Sequence, residues 1–288
     1  MSVKEYVLTA SVVPARIRNI AQPPNQLFIR GEDVNVLLNL PCVTIVGSRK
    51  VSAYGKAVTI ALAEGLARAG VVIISGLAFG VDSIAHQAAL EAGGKCIAVL
   101  PTSLQHIYPA SHRSLAQRIA EQGGALVSEY EAAEPTYPSH FIARNRLVSA
   151  MGDAVLITEA AERSGTLSTA RFALEQGKDV LVVPGNITSP TSAGTNNLLK
   201  AGATPITCVE DILHVLGLSA ATRRGKHAPK GATAAEQALL DLLYGGISDG
   251  VELLTRSQQS ISLFNQTLTM LEIRGQIRPL GNNHWALS

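Results

Sequence analysis

Residues 42–100 read CVTIVGSRKVSAYGKAVTIALAEGLARAGVVIISGLAFGVDSIAHQAALEAGGKCIAVL, and their rhythm decides the fold. CVTIV (42–46), VVIIS (71–75) and KCIAVL (95–100) are short, β-rich and almost continuously apolar, as strands buried on both faces of a parallel sheet are. Between the first two lies YGKAVTIALAEGLARAG (54–70), apolar at helical spacing, with Gly70 placed as a C-cap. The alternation continues through ALVSE (125–129), AVLIT (154–158) and DVLVV (179–183). Strand then helix, repeated this often, predicts a doubly wound, mostly parallel α/β sheet over residues 41–220.

Outward from that block the pattern changes at both ends. Residues 1–40 hold QPPNQLFIRGED (22–33), a proline-rich approach and a short strand expected to flank the sheet. ATRRGKHAPKGA (221–232) reads as a polar, basic linker. Beyond it, AAEQALLDLL (234–243), DGVELLTRS (249–257) and SLFNQTLTMLEIRG (262–275) predict three helices, and QIRPLGNNHWAL (276–287) a hairpin turning at Gly281-Asn282-Asn283. Three helices and a hairpin predict a small C-terminal winged-helix domain over 233–288.

The 288 residues are 47% hydrophobic and 16% charged, which excludes a disordered chain. No run approaches a membrane span and the start, MSVKEYVLTASVVPAR, lacks the plan of a signal peptide, so a cytoplasmic protein is expected. Cys42, Cys96 and Cys208 stand singly in apolar surroundings and read as packing residues; no metal site is expected. Net charge is only +2, with 17 Lys and Arg against 17 Asp and Glu in residues 1–222, four basic residues and no acid in 223–230, and 3 basic against 5 acidic in 231–288. A polyanion site in the large domain must therefore be a local concentration of charge.

Ligands of such sheets gather beyond the carboxyl ends of the strands, so the strand-to-helix turns are where function is sought. GSRKVSAYG (47–55) is not the G-x-G-x-x-G dinucleotide fingerprint, because Arg49 and Ser52 replace glycines. No nicotinamide or other cofactor is expected. Gly47, Ser48, Arg49 and Ser52 instead supply close backbone approach, hydroxyls and a cation beside a helix N-terminus, which suit a phosphate. SGLAFGVDSIAH (75–86) turns at Gly76 and Gly80 and sets Asp82 and His86 four apart on a helix; a capping and packing role is favoured over acid–base catalysis. In PTYPSHFIARNRLVSA (135–150) Phe141 lies three residues before Arg144 and five before Arg146, so a ring and two guanidinium groups are expected on one rim, apt for stacking a base and holding phosphates. ERSGTLSTA (162–170) places Ser164, Gly165 and Thr166 at a helix N-terminus that favours an anion.

Taken together, PPNQLFIRG, VTIVGSRKVSAYG, SGLAFGVDSIAHQAALEAGGKCIAVL, IYPASHRSL, SEY, FIARNRLVSA, TEAAERSGTLSTARFALEQGKDVLVVPGN and AGTNNLLKAGA resemble, in that order, the DNA-processing protein A (DprA, or Smf) family over residues 22–216. The resemblance implies an extended Rossmann-like domain that binds single-stranded DNA in a basic pocket, dimerises, helps load the RecA recombinase in transformation or repair, and is not an enzyme. By matching position, the implied pocket residues are Gly47, Ser48, Arg49, Gly76, Phe141, Arg144, Asn145, Arg146, Ser164, Gly165 and Thr166, with Lys178 nearby. The sequence departs from the family at Ile142, where proline is usual, which predicts a looser Phe141 loop; at PTSLQ (101–105); at His112; and in GTLST (165–169).

Two other readings use the same fold. The cytokinin-releasing phosphoribohydrolases carry P-G-G-x-G-T-x-x-E, but aligning Gly165-Thr166 on it puts Ala161, Glu162 and Arg163 over the first three positions and Thr169 over the glutamate. A nucleotide-sensing module without a DNA role is the third reading.

Overall fold

The computed structural model describes residues 3–132, 134–218, 231–281 and 283–287. The chain divides into two compact units, Met1–Leu218 and Ser219–Ser288. In the first, nine strands form one sheet: β1 (Glu5–Thr9), β2 (Gln26–Gly31), β3 (Cys42–Val46), β4 (Val72–Ser75), β5 (Cys96–Leu100), β6 (Ala125–Ser128), β7 (Ala154–Ile157), β8 (Asp179–Val182) and β9 (Thr204–Pro205). Their spatial order is β1-β2-β6-β5-β4-β3-β7-β8-β9. Every pair from β6 to β9 is parallel, while β2 runs antiparallel to β6 and β1 antiparallel to β2.

The continuous apolar runs are explained by two cores. On β3, Val43 and Ile45 face one core with Leu62 and Leu66 of α3 (Ala53–Arg68), Ala85 of α4 (Val81–Glu91) and Ile119 of α5 (Arg113–Glu121). Cys42 and Val46 face the other, with Leu147 and Met151 of α6 (Pro138–Met151) and Ala170 and Ala173 of α7 (Thr166–Glu175). Side chains alternate across a strand, so helices on both faces demand apolar residues at every position.

Residues 1–40 do more than flank this sheet. They supply two strands rather than one, and Ile17 and Leu37 of the short helices Ala15–Arg18 and Val34–Leu38 are fully buried in the second core. The pairing of β2 with β6 caps what would otherwise be an exposed parallel edge. Cys42 and Cys96 are buried as expected, whereas Cys208 is only half-buried, at the N-cap of Val209–Val215.

The chain lays down β3, β4, β5 and β6 outward in one direction, then returns to place β7 against the opposite side of β3. The order of winding therefore reverses between β3 and β7, the position where doubly wound sheets open a ligand crevice.

In the second unit, helices Ala234–Tyr244, Gly250–Ser257 and Ile261–Ile273 precede a hairpin of Ile277–Gly281 with His284–Leu287, and Asn283 has φ 62° at the turn. Leu239, Leu240, Leu253, Phe264 and Leu271 form its own core. This is the element set expected of a winged helix. Of the expected linker, residues 221–230 lie outside the described residues. Among the described residues no helix is long and apolar enough to cross a membrane, and no group of three or more His, Cys, Asp or Glu is placed to hold a metal ion.

Candidate nucleic-acid interface

The turns after β3, β4 and β5 meet the first turns of α6 around a shallow pocket of about 250 Å³, its solvent-open mouth included, lined by Arg49, Gly76, Ala78, Phe79, Pro101, Tyr108, Pro109, Phe141 and Arg144. The Tyr108 ring meets Phe141 edge-on at 5.2 Å between centroids, and the Arg49 guanidinium lies over the Phe141 face at 5.6 Å. Phe79, edge-on to His112 at 5.0 Å, and Tyr108 are each about half exposed, at 48% and 49%. Arg49 and Lys50 are exposed beside them. Six of the chain's eleven Tyr and Phe residues (Tyr54, Phe79, Tyr108, Tyr130, Tyr137 and Phe141) follow the carboxyl ends of β3 to β6. Four of the six, Tyr54, Phe79, Tyr108 and Tyr137, are about half exposed, and exposed rings cost solvation, so this concentration makes the edge the candidate ligand surface.

Pro138 occupies the first turn of α6, where its missing N–H costs nothing, so Phe141 sits on a helix rather than on a loop. Ile142, beside it on the same helix, is 56% exposed.

The expected trio of Phe141, Arg144 and Arg146 on one rim needs correction. Arg144 forms the floor of the pocket, 4% exposed. Its Nη1 donates to Gly76 O at 2.6 Å and to Val99 O, and its Nε to Asn145 Oδ1 at 3.3 Å. A Cβ at Gly76 would stand 2.5–2.6 Å from that guanidinium, so glycine there lets the arginine pass beneath the turn. Asp82 grips the same turn from the other side, accepting from Gly76 N at 3.1 Å and Ala78 N at 3.4 Å. Leu77, at φ 56°, occupies a left-handed conformation that costs a branched residue about 1–2 kcal/mol, and His112 Nδ1 bonds its carbonyl at 2.9 Å. Asp82, Arg144 and His112 thus clamp the short arch that presents Phe79. Burial raises the Asp82 carboxyl above its usual range, against the pull of the Arg144 charge and the Ala78 and Gly76 amides. Burial likewise lowers Arg144 to about 10, still charged at neutral pH. His86 is fully buried, its pKa is pushed down to about 3 mainly by burial, and neither ring nitrogen bonds Asp82. Asp82 and His86 thus share no hydrogen bond, and the Asp82 carboxyl is bonded to the Gly76 and Ala78 amides instead.

Arg146 points elsewhere. Its Nε donates to Gln22 O at 2.8 Å, its Nη1 to Ala143 O at 3.2 Å, and its Nη2 pairs with Glu129 at 2.6 Å. It ties the amino-terminal segment to α6 and does not line the pocket. Asn145 Nδ2 donates to Ser168 Oγ at 2.9 Å, joining α6 to α7. Lys178 precedes β8, at the amino edge of the sheet, where its Nζ donates to Ala150 O at 2.6 Å and to Gly152 O. It is a tether on the far side from the pocket.

The two turns that flank the switch point are bonded to each other. Thr166 Oγ1 donates to Gly47 O at 2.9 Å, and Thr166 N donates to Ser164 Oγ at 3.2 Å. Ser164, Gly165 and Thr166 thereby join the β7–α7 turn to the β3 turn and stay outside the aromatic pocket. Ser48 Oγ bonds Lys50 within its own turn, and Ser52 is the N-cap of α3. Glu159, 2% exposed, accepts from Ser52 N and Ser52 Oγ.

Residue typing from the sequence did not place Phe79, Tyr108 or Glu159 among the site residues. The first two carried a legible signal, an aromatic inside a glycine turn (AFG, 78–80) and one before proline (YP, 108–109). Glu159 carried none, because a single acid after a strand is unremarkable until the fold sets it opposite Ser52.

Fold and site together define a doubly wound α/β protein whose candidate ligand surface is an aromatic ledge on the carboxyl edge of the sheet, displaced from the switch point toward β4 and β5. The chain belongs to the DNA recombination-mediator protein A (DprA/Smf) family, whose model matches residues 6–217. It is 44% identical over 203 residues to protein Smf of Escherichia coli K12, covering 70% of this chain and 54% of that one, so it spans about half of that relative's length. It is 37% identical to DprA of Bacillus subtilis, covering 73% of this chain and 70% of that protein. Among solved structures, the fold matches DprA from Helicobacter pylori with a TM-score of 0.67 and 38% identity over 74% of this chain and 95% of that chain; that protein was described for its single-stranded DNA binding mode. DprA from Streptococcus pneumoniae matches with a TM-score of 0.68 and 36% identity, over 73% of this chain and 74% of that one.

Proposed function

We propose that this chain binds single-stranded DNA on the aromatic ledge and acts as a non-enzymatic mediator that helps load the RecA recombinase onto the strand, as a cytoplasmic homodimer. The carrying observation is Arg49 over the face of Phe141, with Tyr108 and Phe79 half exposed beside it. Unpaired bases present flat faces for such rings, while Arg49 and Lys50 meet the backbone. Duplex bases are already stacked and cannot reach them. Fluorescence anisotropy with labelled oligo-dT and a duplex of equal length tests the reading; equal affinity for both would defeat it.

The phosphoribohydrolase reading lacks its carboxylate. Thr169 is buried in α7, and the buried Glu159 is committed to the N-terminus of α3. No free adenine should form from AMP above a buffer blank; release that tracks the protein through purification would refute this.

The second unit is expected to add little affinity. Arg274, the cation just past its last helix, is paired with Glu236 at 2.8 Å. Deleting residues 231–288 should leave oligo-dT affinity within about threefold, roughly 0.7 kcal/mol, and a tenfold loss would contradict it. Light scattering at micromolar concentration should report twice the 30.2 kDa chain mass, and the chain mass alone would overturn the dimer.

A further inference from the structure

We infer that Glu159 is the positioning residue of the strand-binding surface: a carboxylate supplied by the chain fills the anion position at the head of α3, fixes the turn that presents Arg49, and closes the switch-point crevice to a nucleotide phosphate. This rests on the single-stranded DNA reading above and adds how the site selects a strand over a mononucleotide.

The amino end of a 16-residue helix carries unpaired N–H groups and a partial positive charge, which together favour an anion. In doubly wound folds a ligand phosphate commonly takes that place beside the first strand of the reversal. Here the first strand is β3, the helix is α3, and the anion is already present. Glu159 Oε1 and Oε2 accept from Ser52 N at 3.1 and 3.3 Å, and Ser52 Oγ donates to Oε2 while accepting from Gly55 N at 3.0 Å. A Cβ at Gly55 would stand 2.9 Å from the Glu159 carboxyl carbon and closer still to Oε2. The space a phosphate would need is therefore occupied, and glycine at 55 is what lets the carboxylate in.

No ion pair involves Glu159 among the described residues. Its charge is balanced by these donors and by the helix end, an arrangement that would repel a second anion.

The same residue holds both ends of the Arg49 turn. Its carbonyl accepts from Ser48 N at 2.7 Å, and its carboxylate binds Ser52. Three residues lie between those anchors, and Arg49, the first of them, lies over Phe141. Without the carboxylate, Ser52 N and Ser52 Oγ lose their shared acceptor and the downstream anchor is released. Arg49 then loses its fixed approach to the ring, although no pocket-lining side chain has changed.

Glu159→Ala tests this by carboxylate rescue. At matched ionic strength, oligo-dT affinity and melting temperature are measured for parent and variant in sodium chloride and in sodium acetate. The variant is expected to bind oligo-dT about tenfold more weakly than the parent in chloride. Acetate should recover at least threefold of that loss and raise the variant's melting temperature by more than it raises the parent's. Inorganic phosphate titrated calorimetrically should bind the variant and not the parent. Glu159→Gln, which keeps the volume, should fold and still bind more weakly than the parent by at least threefold. Equal acetate responses in parent and alanine variant, or a glutamine variant that binds like the parent, would overturn the inference. A parent that fails to bind oligo-dT would instead defeat the DNA reading, leaving the melting and phosphate measurements to decide the role of Glu159.

Discussion

Arg144→Ala should unfold far more easily than the parent, with a stability loss of about 3–5 kcal/mol, the range for removing one member of a buried charged network. The side chain is 4% exposed and bonds two carbonyls, Gly76 O and Val99 O, from two different strand ends. Truncation strands both acceptors, leaves the buried Asp82 without the opposing Arg144 charge, and opens a void beneath the pocket. Lysine cannot substitute, because one ammonium cannot reproduce the planar fork that spans these partners. For a unit of this size each kcal/mol shifts the melting point by roughly 2–4 °C, so a fall on the order of 10 °C is expected. DNA affinity would fall too, through collapse of the 76–79 arch. A variant melting within about 2 °C of the parent would refute the clamp.

Phe141→Ala carries the second large effect, on binding rather than on folding. Loss of one stacked base costs about 1–3 kcal/mol, between roughly fivefold and 150-fold in Kd, and the salt dependence should be unchanged because no charge is removed. Arg49→Ala provides the contrast. It should weaken binding for every sequence alike and flatten the logarithmic salt slope by about 0.7 for the lost phosphate contact on a single strand. Arg49 also lies over the Phe141 ring, so the double variant should lose less than the sum of the two single losses. Salt titrations of all three variants against oligo-dT decide this. If Phe141→Ala altered the slope, or Arg49→Ala left it untouched, the division of labour between ring and cation would be wrong.

These two residues show how far reading along the chain reaches. Arg144 and Phe141 stand three apart in FIARNR, and residue type alone assigns both to the ligand. The fold keeps Phe141 at the surface and turns Arg144 inward. The difference is made by Gly76 and Val99, whose carbonyls lie 68 and 45 residues away. Arg146 is captured in the same manner by Gln22, 124 residues distant, and Lys178 by carbonyls at the opposite edge of the sheet.

What the amino-acid order settles alone is whatever depends on neighbours along the chain. Unbroken apolar runs such as Cys42–Val46 can be satisfied only between two helical layers, so the doubly wound sheet and the placing of ligands beyond its carboxyl edge follow from local pattern. Family membership was legible too, because ordered turn motifs are local objects. Tertiary structure decided which polar side chains remain free. A guanidinium or carboxylate within reach of a buried carbonyl or helix end will pair there rather than face water, and whether such a partner is in reach depends on strand order. Only the winding that returns β7 to the side of β3 brings Glu159 to Ser52, so that an acid 107 residues away is bound to the N-cap of α3.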